Sequence, residues 1–238
     1  MRGSFSRRGK DDLRMKKKEL PKQLRERARA VLATLRKAFP HPVVALDHQT
    51  PFQLLIATIL SAQCTDERVN MVTRELFVKY RTPADLARAS QEELEQEIRS
   101  TGFFRMKARN IIACSKELVE RHGGEVPASM ETLVQLAGVG RKTANVVLGQ
   151  AFGIASGIVV DTHVHRLSRL LGLTTADTPE EIEKDLMELF PQKQWIDVGM
   201  LLILHGRKTC KARAPDCPAC RVNGLCPSAE LPLRAARG

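Results

Sequence analysis

Four of the six cysteines, Cys210, Cys217, Cys220 and Cys226, fall in the last thirty residues with the spacing Cys-x6-Cys-x2-Cys-x5-Cys. Structural thiols would be scattered through a core. Four thiolates within one short coil can reach a common centre, so metal or iron–sulfur ligation is the chemistry this spacing favours. Zinc is the rival, but zinc ribbons usually present two Cys-x2-Cys knuckles and only Cys217-x2-Cys220 is present. A second constellation is Gly138-Val139-Gly140-Arg141-Lys142. The glycines give backbone freedom, and a helix beginning at Arg141 or Lys142 exposes its first amides to an anion beside two cations. One DNA phosphate could be held there without sequence readout. The plain alternative is a tight helix–helix turn. A nucleotide P-loop is excluded, because neither its four-residue glycine spacing nor a preceding strand is present. Taken alone, Lys142 reads as a solvated or phosphate-binding lysine, and Asp161 as a helix N-cap.

The elements that must position these residues read as helices throughout. Leu24, Ala28, Val31, Leu32 and Leu35 form one stripe after Pro21, stopped by Pro40 and Pro42. Helices follow over 52–62 and from Thr65 or Asp66 to about Tyr80, with short ones opened at Thr82-Pro83 and at Ser90, where Ser90-Gln91-Glu92-Glu93 predicts a capping box. Gly102 ends the second of these. Further helices are predicted over 107–121, 129–136, 142–152, 162–171, 179–189 and 195–206. Ile158-Val159-Val160 is the one strand-like piece. The fold class is therefore all-α, with about ten helices.

The net charge is +11, but residues 1–22 hold nine Lys or Arg against Asp11, Asp12 and Glu19, which is +6 of it. Residues 1–20 read as a flexible basic tail. The body is only mildly basic, so composition favours a polyanionic partner without requiring one. No apolar stretch reaches the roughly 20 residues of a membrane span, and the first twenty residues lack a signal-peptide core. A soluble intracellular protein with no membrane partner is expected, in a reducing compartment where clustered cysteines serve as ligands rather than disulfides.

The stretch Leu136-Ala-Gly-Val-Gly-Arg-Lys-Thr-Ala-Asn-Val-Val-Leu148 resembles the helix-hairpin-helix of the endonuclease III family of DNA base-excision glycosylases. Val160-Asp-Thr-His-Val-His-Arg166 is similar to that family's catalytic-aspartate segment, and Ser61-Ala-Gln-Cys-Thr-Asp66 to its helix-end glutamine motif. The cysteine spacing is similar to its 4Fe–4S motif. The four motifs stand in the family's order over roughly residues 22–228, and Ala137 departs from the proline of many relatives. The resemblance implies a two-lobed fold. Residues 44–154 would form a lobe carrying the hairpin of 130–152, and residues 21–43 with 155–238 a second lobe holding the cluster. Lys142 and Asp161 would face each other across the cleft.

The same resemblance implies that Lys142 is the nucleophile and Asp161 its carboxylate partner. A neutral amine is required, and desolvation, Arg141 and the helix start would favour it. Gln63 and Phe103 would fill the gap left by a flipped base. Phe103 stands where relatives often have leucine. Arg105 and Lys107 would reach phosphates, His163 would line the lesion site, and Lys211 and Arg213 would project from the loop between Cys210 and Cys217 toward DNA phosphate. Gly138, Gly140 and Arg141 would hold a phosphate at the hairpin. The expected activity is bifunctional glycosylase and abasic-site lyase on oxidised pyrimidines in duplex DNA, by a monomer, in the cytoplasm if the source is bacterial. Thr58 aligns with a glutamate of adenine-excising relatives, which favours the lysine-dependent branch. Two alternatives stay open: a monofunctional adenine or mismatch glycosylase, and a non-catalytic iron–sulfur DNA-binding or redox protein.

Overall fold

The computed structural model describes residues 21–229, so the basic tail expected over 1–20 lies outside the described residues. Most helix starts are set by hydroxyl side chains that take up amides the first turn cannot pair. After α1 (Pro21–Ala38), Thr50 caps α2 (Pro51–Leu60), Thr65 caps α3 (Asp66–Lys79) and Thr82 caps α4 (Pro83–Ala87). Ser90 caps α5 (Gln91–Glu97), and a 3-10 turn, Arg99–Thr101, leads to α6 (Phe104–His122). Ser129 caps α7 (Met130–Leu133), and α8 (Arg141–Phe152) follows the glycine turn. Asp161 caps α9 (Thr162–Leu170), Thr178 caps α10 (Pro179–Leu189), and α11 (Trp195–Lys208) leads into the cysteine segment.

No strand occurs among the described residues, and the all-α expectation holds. Residues 158–160 are irregular. Val159 lies along α11 at Gly199, where a Cβ would come within 3.3 Å of the Val159 carbonyl oxygen. With no second extended segment beside it, this piece has nothing to pair with. The reciprocal capping box forms at Thr82 and Asp85, where Asp85 accepts from the Thr82 amide at 2.9 Å, and not at Ser90 as expected. Lys79 draws the Glu93 carboxylate away instead, at 3.3 Å.

Two hydrophobic cores result. One gathers α2, α3, α6 and the inner face of α8, with Leu54, Leu55, Leu76, Ile111 and Leu148 buried. The other gathers α1, α9, α10 and α11 around Leu35, Leu167, Leu186 and Leu201. Truncating one of these leucines to alanine costs about 2–5 kcal/mol. Arg27 of α1 donates to the Gly172 carbonyl at 3.1 Å and the Leu225 carbonyl at 3.3 Å, tying the end of α9 to the cysteine segment. No helix among the described residues is long and apolar enough to cross a membrane.

Candidate active site

A cavity of about 350 Å³ is lined by residues of both lobes. Lys142 reaches it from the first turn of α8, and Asp161 from the start of α9. Gln63, Thr58 and His163 also line it.

The turn before α8 explains its two glycines separately. Gly138 has φ +78° and lies so close to α6 that a Cβ would meet the Asn110 Cβ at 2.9 Å. Buried Val139 pins the turn to the first core. Gly140 has ordinary extended backbone and open space around it, and it caps α8 with no side-chain bond. The first amides of α8 therefore have no side chain to accept from them. The Lys142 side chain is exposed and makes no hydrogen bond or ion pair among the described residues. The desolvation expected for its amine is thus not built into the protein alone.

Arg141 does not stand free beside Lys142. Its Nε and Nη2 donate to Glu183 of α10 at 2.6 and 3.2 Å. The Glu183 side chain is only 7% exposed, and Asn145 donates to it at 2.9 Å. Gly157 makes the room, since a Cβ there would lie 2.0 Å from Glu183 Oε1. A two-pronged guanidinium–carboxylate pair is among the stronger charge-assisted contacts. In the protein alone, the hairpin arginine joins the lobes instead of waiting for DNA. Sequence reading missed this pair, and also Arg207–Asp66, which joins α11 to α3 at the cavity wall.

Asp161 divides its two oxygens. Oδ1 accepts from the His163 and Val164 amides, both at 2.9 Å, while Oδ2 has no hydrogen bond among the described residues. His163 packs against Gly206, and burial lowers its pKa, aided by Arg207 and Arg166 and opposed by Asp161. That shift favours the neutral imidazole. Thr58, also on the cavity wall, donates its hydroxyl to the Leu54 carbonyl at 2.7 Å, so no acid stands at that position.

Gln63 and Phe103 are the only non-glycine residues with positive φ among those described, at 53° and 48°. Such backbone is uncommon and costs of order 1–3 kcal/mol for side chains of this size. Both side chains are exposed, Phe103 by 58%. Its neighbour Phe104 is held back between the guanidinium groups of Arg99 and Arg105, at 5.8 and 5.7 Å. Met106, which the sequence reading passed over, is as exposed as Phe103. The Arg105 side chain is 80% exposed and 3.9 Å from Glu95. Lys107 departs from expectation: it is 3% exposed, and Nζ donates to the Leu60 and Thr101 carbonyls at 2.8 Å each. No phosphate can reach it.

Cys210, Cys217, Cys220 and Cys226 line one further cavity, walled by Leu167, Leu170 and Leu171 of the α9 end. No three or more His, Cys, Asp or Glu among the described residues close on a single metal ion. The thiols surround a space instead of a point, which suits a polynuclear cluster better than zinc at about 2.3 Å from each sulfur. Arg166 donates to Cys210 Sγ at 3.7 Å, and its buried Nη2 has no protein partner. Cluster sulfide would supply the acceptor this nitrogen lacks. Lys211 and Arg213 are exposed on the loop between Cys210 and Cys217, whose ends close where Thr209 O accepts from the Lys211 and Asp216 amides at 3.1 and 3.0 Å. The remaining thiols differ: Cys114 is buried in the first core and burial pushes it up to about 12, while Cys64 lies beside Gln63.

An all-helical scaffold whose glycine hairpin opens onto a cavity between two lobes is the architecture of the helix-hairpin-helix DNA glycosylases. The profile described as HhH-GPD superfamily base excision DNA repair protein matches residues 56–192. Endonuclease III of Synechocystis sp. is 54% identical over 206 residues, 87% of this chain and 94% of that protein. Endonuclease III of Bacillus subtilis is 49% identical, over 79% and 86%. A solved structure of a trapped endonuclease III–DNA covalent intermediate superposes with TM-score 0.83 at 47% identity, over 86% of this chain and 96% of that one. A thermostable thymine-DNA glycosylase, at 21% identity and TM-score 0.75, shares the fold. The chain belongs to the endonuclease III family within the HhH-GPD superfamily, and as a member it is a DNA glycosylase and abasic-site lyase of base excision repair.

Proposed function

We propose that the protein removes oxidised pyrimidines such as thymine glycol from duplex DNA and cuts the strand 3′ to the resulting abasic site, with Lys142 as nucleophile. The observation that supports this reading is the shared cavity, which Lys142 on an uncapped helix start lines together with Asp161, whose Oδ2 has no hydrogen bond among the described residues. Neutral Lys142 Nζ attacks the deoxyribose C1′, and the glycosidic bond breaks with its electron pair leaving on the base. Asp161 stabilises the positive charge that develops on the sugar. As the C1′–O4′ bond breaks, O4′ takes up one of the two Nζ protons, which opens the ring and leaves a protonated Schiff base. Its positive nitrogen acidifies C2′; loss of a C2′ proton then expels the 3′ phosphate by β-elimination.

Since the free protein leaves Lys142 exposed, bound DNA supplies the water exclusion that the amine needs. The open amides at Gly140 take a phosphate of the DNA, with Gly138 setting the approach. Gln63 and Phe103 enter the stack when the base is flipped, His163 lines the lesion pocket, and Arg105, Lys211 and Arg213 contact phosphates. The four cysteines hold a 4Fe–4S cluster that shapes the loop carrying Lys211 and Arg213. The protein acts as a monomer inside the cell.

The test is borohydride trapping on a duplex containing thymine glycol. Wild-type protein is expected to give a covalent adduct and Lys142→Gln none. Full strand cleavage by Lys142→Gln would overturn the mechanism. Elemental analysis is expected to find about four irons per chain, and zinc in their place would overturn the cluster.

A further inference from the structure

We infer that Lys107 is a positioning residue for duplex opening: one buried ammonium fixes both of the loops that present Gln63 and Phe103. The inference rests on the proposed role of those two side chains in filling the gap. Lys107 Nζ donates to two carbonyls that no backbone amide claims among the described residues. One is Leu60 O, at the end of α2, and the other is Thr101 O, at the end of the 3-10 turn. Helix ends leave such carbonyls unpaired, and a cation there also meets the negative end of the helix. Each capped end is followed almost at once by a non-glycine residue in left-handed backbone. Gln63 comes three residues after Leu60, and Phe103 two after Thr101. Two strained conformations therefore hang from a single nitrogen that water hardly reaches.

The geometry makes the loops a pair. Without Lys107 two buried carbonyls lose their donors, and relaxing either one moves the start of its loop. The protonation state of Lys107 does not alter this, because ammonium and amine can each donate both bonds. The chemistry at Lys142 lies on a different helix and does not depend on this nitrogen. Lys107 should therefore matter only where a base must be displaced from a stack.

The test compares Lys107→Met on two substrates under single-turnover conditions: thymine glycol in duplex, and a preformed abasic site in a single strand. Duplex base release is expected to fall about 10- to 100-fold, the cost of misplacing a group by around an ångström. Single-strand β-elimination should stay within about threefold, since there is no opposing strand to displace. A 2-aminopurine placed opposite the lesion should lose its fluorescence change on binding. The double variant Lys107→Met with Phe103→Ala should be no worse than the more damaging single one, as expected for residues acting as a unit. Should Lys107→Met lack a cooperative melt, Lys107→Gln, which keeps an amide donor, is expected to show the same split in weaker form. Equal loss on both substrates, or an additive double variant, would overturn the inference. If Gln63→Ala and Phe103→Ala leave duplex excision intact, the gap-filling reading fails and the strut with it. If those two lose activity while Lys107→Met keeps it, only the strut fails.

Discussion

Helices α8 and α9 begin on the same cavity, and their N-termini are finished in opposite ways. At α8 the cap is Gly140, which offers no side chain, so the first amides remain open to an outside anion. At α9 the cap is Asp161, whose Oδ1 accepts two of the amides itself. The same local physics, unpaired donors at a helix start, is used once to invite a ligand and once to fix a carboxylate. The fixed carboxylate leaves its second oxygen without a hydrogen bond among the described residues. The open helix start keeps its lysine free, while the arginine next to it is anchored in the other lobe through Glu183. The two helix starts are thus told apart by one capping residue each.

Removing the proposed nucleophile tests that distinction most severely. Lys142→Gln should lower strand cleavage by more than about 1,000-fold with little change in melting temperature, because its side chain is exposed and unbonded. Asp161→Asn comes next. Asparagine caps as well as aspartate, so stability should shift by less than about 0.5 kcal/mol while base release slows by about 100-fold. Asp161→Ala should add a cap loss of about 0.5–2 kcal/mol in denaturant unfolding. Should Asp161→Asn lose stability and rate together, the division between Oδ1 and Oδ2 would collapse. Arg141→Met should cost about 1–3 kcal/mol of stability by leaving a buried carboxylate short of donors. The salt dependence of its DNA affinity should be unchanged, whereas a lost phosphate contact would reduce that slope by about one. The smallest effect is expected from Gly140→Ser, for which the backbone leaves space. A serine cap should add a few tenths of a kcal/mol and weaken duplex binding several-fold by occupying the open amides.

Much of this molecule was legible in the chain because its signals are local. Thr or Ser before an apolar run, and Pro at the first helical position, gave the starts of α2, α4, α5 and α10. The cysteine spacing and the glycine hairpin are likewise short-range. What the sequence did not show depends on partners far away in the chain. The protein partner of Arg141, Glu183, lies 42 residues downstream in another helix. The Ser90 box failed because Lys79 competes for Glu93. Lys107 is the instructive case, since a signal for its burial existed. With Ile111, Cys114 and Leu118 it follows the apolar stripe of α6, and periodicity placed it inward while its charge suggested outward.

Helix α6 touches both the hairpin turn and the loops of Gln63 and Phe103. Asn110 bears on the hairpin turn at Gly138, and Lys107, three residues earlier, holds the loops of Gln63 and Phe103. Those two contacts are separated by about 4.5 Å along one rigid rod. On the proposed reading the helix is a ruler between the phosphate held at the hairpin and the base step that Gln63 and Phe103 open. One residue inserted between positions 107 and 110 would turn these two contacts by about 100° relative to each other. Each tool would survive, but they would address different nucleotides.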